Sequence, residues 1–308
     1  MSESVLQGLL RAATSPDASA AEAAWVEFRN RARADHPEPQ HREVFPAIHA
    51  NFARLGLPRD AVLAAEYLRT FGGTQRGLQE ASRLLGLLAA EGFAPLILGP
   101  AALFLRGLAP GQRPWRSLAL LAEEGKFSET VGVLARSGFS LGAEAAEGTR
   151  IRATLSRPDL PNASIGFELD VYRRPSAVLN YPEAVAAFGR QAEARLLGTE
   201  CRIPSRVDHL LHILIGNARF RARPSALWML DCAWLLSDAG EGDIENLAER
   251  AREFDVGVLA RHVARLAAQA IPEDPMLRRM AERLGQSPVT PHRALEAWLH
   301  RRPAEQGR

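Results

Sequence analysis

The sequence predicts an α+β fold, in which a small mixed β-sheet lies between two α-helical regions of the chain. Two observations predict it. Near both ends, apolar residues recur every three or four positions, which is the spacing of one helix face. In the middle, short apolar runs and alternating polar and apolar residues are typical of strands instead. We therefore expect an N-terminal helical region at 1–78, a sheet core at 79–175, a C-terminal helical region at 176–302 and a frayed tail at 303–308.

The helical regions are predicted from apolar stripes that end at glycine or proline. The stripe from Phe45 to Leu55 ends before Gly56 and predicts one helix. The next predicted helix runs from Pro58 to Phe71 and stops at Gly72-Gly73. From about 182 to 302 the helical spacing returns.

Four segments of the middle region are predicted strands. The runs at 94–98 and 117–122 are short and almost entirely apolar, which is typical of buried strands. The segments at 150–155 and 165–172 alternate polar and apolar residues, as a half-buried strand does. Proline, aspartate and asparagine in the stretch 157–163 predict a hairpin loop between them.

The composition is that of an ordinary cytoplasmic globular protein. The 308 residues are 46% hydrophobic and carry a net charge of +2, which gives no strong signal of nucleic-acid binding. The longest apolar stretch, Phe93 to Leu105, is too short to span a bilayer, and we expect no membrane association and no secretory signal. Cys201 and Cys232 are expected to be free thiols. Lys126 is the only lysine, so arginine clusters indicate function less strongly than usual.

Five short segments stand in an order that is more informative than any one of them. They are PLILGPAALFLRGL from Pro95, RPWRSLALLA from Arg113, FELDVYR from Phe167, LLHILIGNARFR from Leu210 and ALWMLDCAWLL from Ala226. This order resembles a bacterial family of largely uncharacterised nucleotidyltransferases in the DNA polymerase beta-like superfamily. The resemblance covers about residues 80–240 and implies a nucleotidyltransferase-like sheet core. Members of that family often accompany peptide natural-product gene clusters.

The resemblance also shows which catalytic positions this chain has changed. In the family, an Asp-x-Asp pair on one strand and a third carboxylate on its neighbour hold two Mg²⁺ ions for nucleotidyl transfer. Side chains alternate along a strand, so Asp-x-Asp places both carboxylates on one face. In this sequence the pair falls on Ser117 and Ala119, which bring no negative charge. The family's Lys-Gly pair falls on Gly99 and Pro100.

The third carboxylate of the family pattern is retained. It falls on Asp170, and Glu168, two residues earlier, is expected to face the same side of the strand. These two are the remnant candidates for catalysis or metal binding. The alternative is a polar strand face on which they pair with Arg150 or Arg152 of the neighbouring strand.

The remaining candidates are basic residues that could bind phosphate groups. We single out Arg113, Arg116, Arg152 and His212 as candidate substrate- or phosphate-binding residues, because the arginines, with Arg150, could ring the cleft and the histidine falls on the family's helix histidine. Arg173 and Arg174 could extend this ring. A solvated arginine surface and a structural histidine are the alternatives. Trp228-Met229-Leu230-Asp231 matches the family's Trp-x-x-Asp helix, where core packing is the expected role.

Three functional hypotheses follow. The leading one is a catalytically degenerate nucleotidyltransferase-fold protein that binds a nucleotide, a peptide or a protein partner as an accessory factor, in peptide natural-product biosynthesis. The second is an active transferase with a relocated metal site, in which Asp170, Glu168 and either Glu123 or Glu124 hold one Mg²⁺ ion. Mg²⁺ and a nucleoside triphosphate would be its cofactors only in that case. The third is a protein-interaction module built from the helical layers.

Overall fold

Seven strands form one mixed sheet, and the helices are divided between two units of the chain. The computed structural model describes residues 3–32, 39–115, 117–123, 125–144, 150–155, 167–173, 191–217 and 226–286. The chain divides into two compact units: Met1–Tyr67 together with Arg206–Arg308, which we call the helical unit, and Leu68–Ser205, which we call the sheet unit. The long helix α5, Ala61–Ala90, begins in the first and continues into the second.

The helical unit contains segments from both ends of the chain. Its helices are α1 Glu3–Thr14, α2 Ala18–Ala32, α3 Pro39–Arg42, α4 Phe45–Leu55, α8 Arg206–Asn217, α9 Leu227–Ser237, α10 Glu241–Glu253, α11 Gly257–Ala270 and α12 Pro275–Gly285. Asn51 on α4 donates hydrogen bonds to the carbonyls of Ala12 and Ser15, each at 3.0 Å, and so holds α4 against the end of α1. Within the described residues, no helix is long and apolar enough for a membrane crossing.

The sheet unit places its strands in the order β3-β4-β5-β2-β1-β7-β6. The strands are β1 Leu96–Leu98, β2 Ser117–Leu121, β3 Ser140–Glu144, β4 Arg150–Leu155, β5 Phe167–Tyr172, β6 Gln191–Leu196 and β7 Thr199–Pro204, with α6 at Pro100–Leu105 and α7 at Phe127–Arg136. The pairs β2–β5 and β1–β7 are parallel, and the other pairs are antiparallel. The predicted α+β class with a mixed sheet is therefore confirmed.

One face of this sheet is the core of the unit. Leu118, Leu120, Leu169 and Val171 are fully buried there, and residues of α5, α6 and α7 belong to the same apolar cluster. Because side chains alternate along a strand, the residues between these leucines and valines face the other side. We call that side the polar face, since it carries the charged and small residues of β2 and β5.

The predictions of four strands, and of helix from about 182 to 302, are wrong because the sheet has more strands and part of that range is strand. The chain forms β6 and β7 between Gln191 and Pro204, so the sheet extends well beyond the predicted boundary at 175. Strand β6 reads Gln-Ala-Glu-Ala-Arg-Leu, and every one of these residues favours helices. Polar and apolar residues alternate along this segment, as in a half-buried strand, and pairing with β7 overrides the local helix propensity.

The predicted helix end at Gly72-Gly73 is also wrong, because α5 runs without interruption from Ala61 to Ala90. Neither glycine adopts a positive φ, so neither ends the helix in the way that a C-terminal glycine does. The predicted pairing of segments 150–155 and 165–172 is confirmed as the antiparallel pair β4–β5, with residues 165–166 outside the described part of the chain.

Both cysteines are free thiols, as predicted. Cys201 is half-buried on β7, and burial raises the pKa of its thiol despite a backbone hydrogen bond that lowers it. Cys232 is completely buried on α9, where burial and the nearby Asp231 carboxylate raise its thiol pKa well above the ordinary value. A raised pKa leaves less reactive thiolate at neutral pH.

Candidate functional site

The polar face of β2 and β5 carries the four positions that the family resemblance singles out. In the parallel register of these strands, Ser117 pairs with Glu168 and Ala119 pairs with Asp170. Adjacent strands lie about 4.8 Å apart. The four residues therefore form two neighbouring rows on one side of the sheet, which is the arrangement that their spacing predicts. Asp170 is 4% exposed, whereas the other three are half-buried.

The segment that begins at Pro95 approaches Ala119 through strand β1. Leu98 pairs with Ala119, and the next residue, Gly99, has φ 63° and ψ −148° before α6 begins. Only glycine adopts this backbone conformation readily. A Cβ atom built on Gly99 would lie 3.9 Å from the Cβ atom of Ala119. The segment around Gly99 therefore packs directly against β2. Pro100 follows at the start of α6 and has no amide hydrogen to offer a phosphate.

These residues do not fit the two-Mg²⁺ centre that the family pattern implies. Such a centre needs several carboxylate oxygens that converge on both ions. β2 contributes a hydroxymethyl and a methyl group at its two site positions, and β5 alone contributes carboxylates. Among the described residues, no cluster of three histidine, cysteine, aspartate or glutamate side chains is arranged to hold a metal ion.

Glu123, a proposed ligand of the relocated metal site, belongs to a different network. The amide of Ala94 donates to its Oε2 at 3.2 Å, Lys126 Nζ lies 3.1 Å from the same oxygen, and Arg202 Nη2 lies 3.6 Å from Oε1. Burial raises the pKa of Glu123, but these three donors more than offset that effect and lower it overall. The carboxylate thus joins the start of β1 to β7.

Glu123 lies two residues after the end of β2 at Leu121, whereas Ala119, the neighbour of Asp170, lies inside that strand. The use of Glu123 in a relocated metal site stays a prediction, and Glu124 lies outside the described residues.

The predicted arginines are placed unevenly around this face. The β4–β5 register sets Arg152 opposite Asp170 and Arg150 opposite Tyr172. The backbone thus places Arg152 where the alternative interpretation, a pair between Asp170 and an arginine of the neighbouring strand, requires it. The side chains of both arginines lie outside the described atoms. Their role as phosphate ligands remains a prediction.

Two further arginines have described contacts. Arg113 Nη1 donates to the carbonyl of Pro114 at 2.8 Å, in the loop before β2. The guanidinium of the exposed Arg173 lies 4.5 Å from the centre of the Phe127 ring, a cation–π contact at the end of β5. Arg116 and Arg174 lie outside the described residues.

His212 and the Trp-x-x-Asp helix belong to the helical unit. His212 is half-buried on α8, and its predicted role in binding remains a prediction. Trp228 and Asp231 are buried on α9, in agreement with the core-packing interpretation.

Sequence spacing did not predict a buried ion pair in the same unit. Asp208 accepts a hydrogen bond at 2.9 Å from Arg250 of α10, and both residues are buried. Burial lowers the pKa of Arg250, but hydrogen bonds to Asp208 and Glu253 raise it overall.

Sequence spacing also missed the residue that supports the start of β2. Trp115 Nε1 donates to the carbonyl of Ser117 at 2.5 Å, and its ring packs against Phe104 with centroids 5.9 Å apart. On the other side, a Cβ atom on Gly77 of α5 would lie 2.8 Å from the indole ring. A glycine in the middle of a helix was the available signal, because it permits such close approach.

The chain is similar to known proteins at the level of its family. The model of a family described as uncharacterised nucleotidyltransferase matches residues 40–272. No curated protein matches the chain. Among solved structures, an antigenic nucleotidyltransferase-like protein from Paracoccidioides brasiliensis is similar at 14% identity and a TM-score of 0.48, over 73% of this chain and 98% of that one. Because the family match spans most of the chain and includes β1, β2 and β5, the protein belongs to the family of uncharacterised nucleotidyltransferases.

Proposed function

We propose that this protein is a nucleotidyltransferase-family member that has lost two-metal nucleotidyl transfer and acts by binding. The observation that supports this most directly is the register of β2 and β5. Ala119 and Ser117 occupy the positions beside Asp170 and Glu168 where the family pattern requires carboxylates. The strand frame of the site is kept, but two of the three carboxylates of the family pattern are absent.

The size of the electrostatic loss supports the same conclusion. Two unit charges 4 Å apart interact by about 4 kcal/mol at an effective dielectric constant of 20. A divalent ion would lose at least that attraction for each missing carboxylate. Removing both residues of the Asp-x-Asp pair therefore lowers metal affinity by several orders of magnitude, since each 1.4 kcal/mol is a factor of ten.

The ligand we propose is a nucleotide-like molecule that binds on the polar face of β2 and β5, beside Asp170 and Glu168. An accessory role in peptide natural-product biosynthesis is our proposal for its context, and it is supported by the family resemblance. A peptide or a protein partner is the alternative occupant.

A thermal-shift screen tests this proposal. Each of the four nucleoside triphosphates is added with and without Mg²⁺ or Mn²⁺, and the melting temperature is compared with that of the Asp170→Ala variant. A ligand at 100 times its dissociation constant adds about 2.7 kcal/mol of stability. We expect any nucleotide shift to be independent of the metal. The matched control is Glu129→Ala, which removes an exposed carboxylate on α7.

A metal-dependent shift that is lost in Asp170→Ala, but not in Glu129→Ala, would contradict the proposal. Transfer of a labelled nucleotide by the native protein would contradict it as well. A flat screen leaves the loss of catalysis in place and points to a peptide or protein as the occupant.

A further inference from the structure

The two outer strands of the sheet differ in regularity. At one edge, β3 pairs with β4 through a register shift between Leu141 and Glu144. At the other edge, β6 pairs with β7 without a shift along all six of its residues. Among the described strands, only β7 pairs with β6. A regular edge strand without proline or a bulge presents its backbone groups to a further strand, and charged side chains along it restrict that strand to one that complements them.

The sequence of β6 is self-complementary about its centre. Glu193 and Arg195 are exposed on the polar face, on either side of Ala194. When two copies of β6 run antiparallel with Ala194 on the two-fold axis, Glu193 of each copy lies opposite Arg195 of the other. Opposite charges in directly opposed cross-strand positions stabilise a sheet. The same patch then serves both copies, as a two-fold interface requires.

Other centres for the pairing are unfavourable. If the pairing is centred on Glu193, the glutamates of the two copies lie opposite each other. If it is centred on Arg195, the two arginines lie opposite each other. Like charges in directly opposed positions destabilise a sheet. The charge pattern thus favours the centre at Ala194.

The core side of β6 adds apolar surface next to this edge. A pocket of about 540 Å³ lies between the end of α5 and the β6–β7 hairpin. Its lining includes Leu85, Ala89 and Phe93 before β1, and Glu193, Ala194 and Arg195 of β6. Pairing at the β6 edge brings the two copies of this pocket to one side of the seam.

We propose that the protein forms a homodimer through antiparallel pairing of β6 with β6 of a second copy, centred on Ala194. The two sheets become one continuous sheet, with both copies of α5 on the same side of it. Two Glu193–Arg195 pairs between the copies fix the register.

A disulfide on the symmetry axis tests this geometry. Directly opposed residues of antiparallel strands have Cα atoms about 4.5–5.5 Å apart, which suits a disulfide. The variant is Ala194→Cys in a Cys201→Ser background, because Cys201 is the hairpin neighbour of Ala194 and would compete. Cys232 is fully buried and stays. Under mild oxidation we expect a cross-linked dimer on a non-reducing gel.

The matched control is Glu200→Cys in the same background, since Glu200 is exposed on β7, one strand away from the edge. We expect Glu200→Cys to remain monomeric on the gel. Failure of Ala194→Cys to cross-link faster than Glu200→Cys would overturn the proposal.

Charge reversal gives an independent test by sedimentation over a concentration series. Glu193→Arg and Arg195→Glu each place like charges opposite each other, and we expect each to weaken dimerisation about tenfold or more. The double variant restores complementarity between copies and is expected to dimerise as the native chain does. Within the hairpin it remains mismatched, because position 193 pairs with Arg202 and position 195 with Glu200. Rescue therefore reports on the interface alone.

Circular dichroism confirms that each variant is folded. A native chain that is monomeric at every concentration would overturn the proposal. A folded double variant that dimerises no better than the single variants would overturn it too.

Discussion

Strands β2 and β5 lie side by side in one register, but among their polar-face residues only those of β5 include carboxylates. On the core face the two strands are alike, with fully buried Leu118 and Leu120 beside Leu169 and Val171. Because side chains alternate along a strand, the residues of the core face and of the polar face can change separately. Packing constrains the core face, whereas residues on the polar face can change without disturbing the core.

The largest expected effect comes from the core face. Leu118→Ala removes a fully buried side chain, and we expect it to lower the free energy of unfolding by about 2–5 kcal/mol. Ala119→Ser, at the next position, changes the polar face and is expected to cost less than about 1 kcal/mol. Urea denaturation measures both. Equal losses in the free energy of unfolding for the two variants would contradict the view that packing constrains only the core face.

The next effect comes from restoring one missing charge. Ala119→Asp places a second carboxylate beside Asp170, about 5 Å away on the neighbouring strand, and the repulsion costs about 3 kcal/mol at an effective dielectric constant of 20. The penalty shrinks as the pH falls from 7 to 4, because protonation of either carboxylate removes the repulsion. Ala119→Asn, which has the same shape without charge, should show no such pH dependence in urea denaturation.

A smaller effect tests what positions β2. Gly77→Ala forces a Cβ atom to within 2.8 Å of the Trp115 ring, and we expect a loss of about 1–3 kcal/mol from overpacking. Gly73→Ala lies on the same helix with open space around it and should be neutral or stabilising by up to about 1 kcal/mol. Thermal unfolding compares the two. A stabilising Gly77→Ala would mean that Trp115 does not hold the start of β2.

The smallest effect concerns Glu123, whose lowered pKa makes its contribution depend on pH. A carboxylate with a lowered pKa in the folded state stabilises the protein above its ordinary value of 4.5 and loses that contribution as the pH falls through the lower folded value. Glu123→Gln should cost about 1 kcal/mol or less at pH 7, because the pairs are partly exposed. The difference from the native chain should vanish well below pH 4.5 in denaturation titrations. A difference that grows on acidification would contradict this.

The sequence predicts the polar-face arrangement well because it depends only on strand periodicity. Once both strands are predicted, the alternation of side chains along a strand places Ser117 with Ala119, and Glu168 with Asp170, on one side of each strand. The register between β2 and β5 connects residues far apart in the chain, and the family resemblance supplied that pairing.

The remaining features depend on contacts that spacing does not encode. Strand β6 consists of residues that favour helices, so only its pairing with β7 reveals it. The Gly72-Gly73 pair reads as a helix end, but packing of the rest of α5 carries the helix through. The ionic contacts of Glu123 and Asp208 join residues that are distant in sequence.

The most direct test of the central claim is Mn²⁺ binding by titration calorimetry, on the native chain and on the Ser117→Asp/Ala119→Asp variant. We expect weak binding by the native chain, unchanged in Asp170→Ala, and binding about 100-fold tighter or more in the restored variant, because the polar face then presents four carboxylates. Nucleotidyl transfer is not expected to return, because Pro100 still withholds an amide hydrogen at the first motif. Tight native binding that depends on Asp170 would contradict the account.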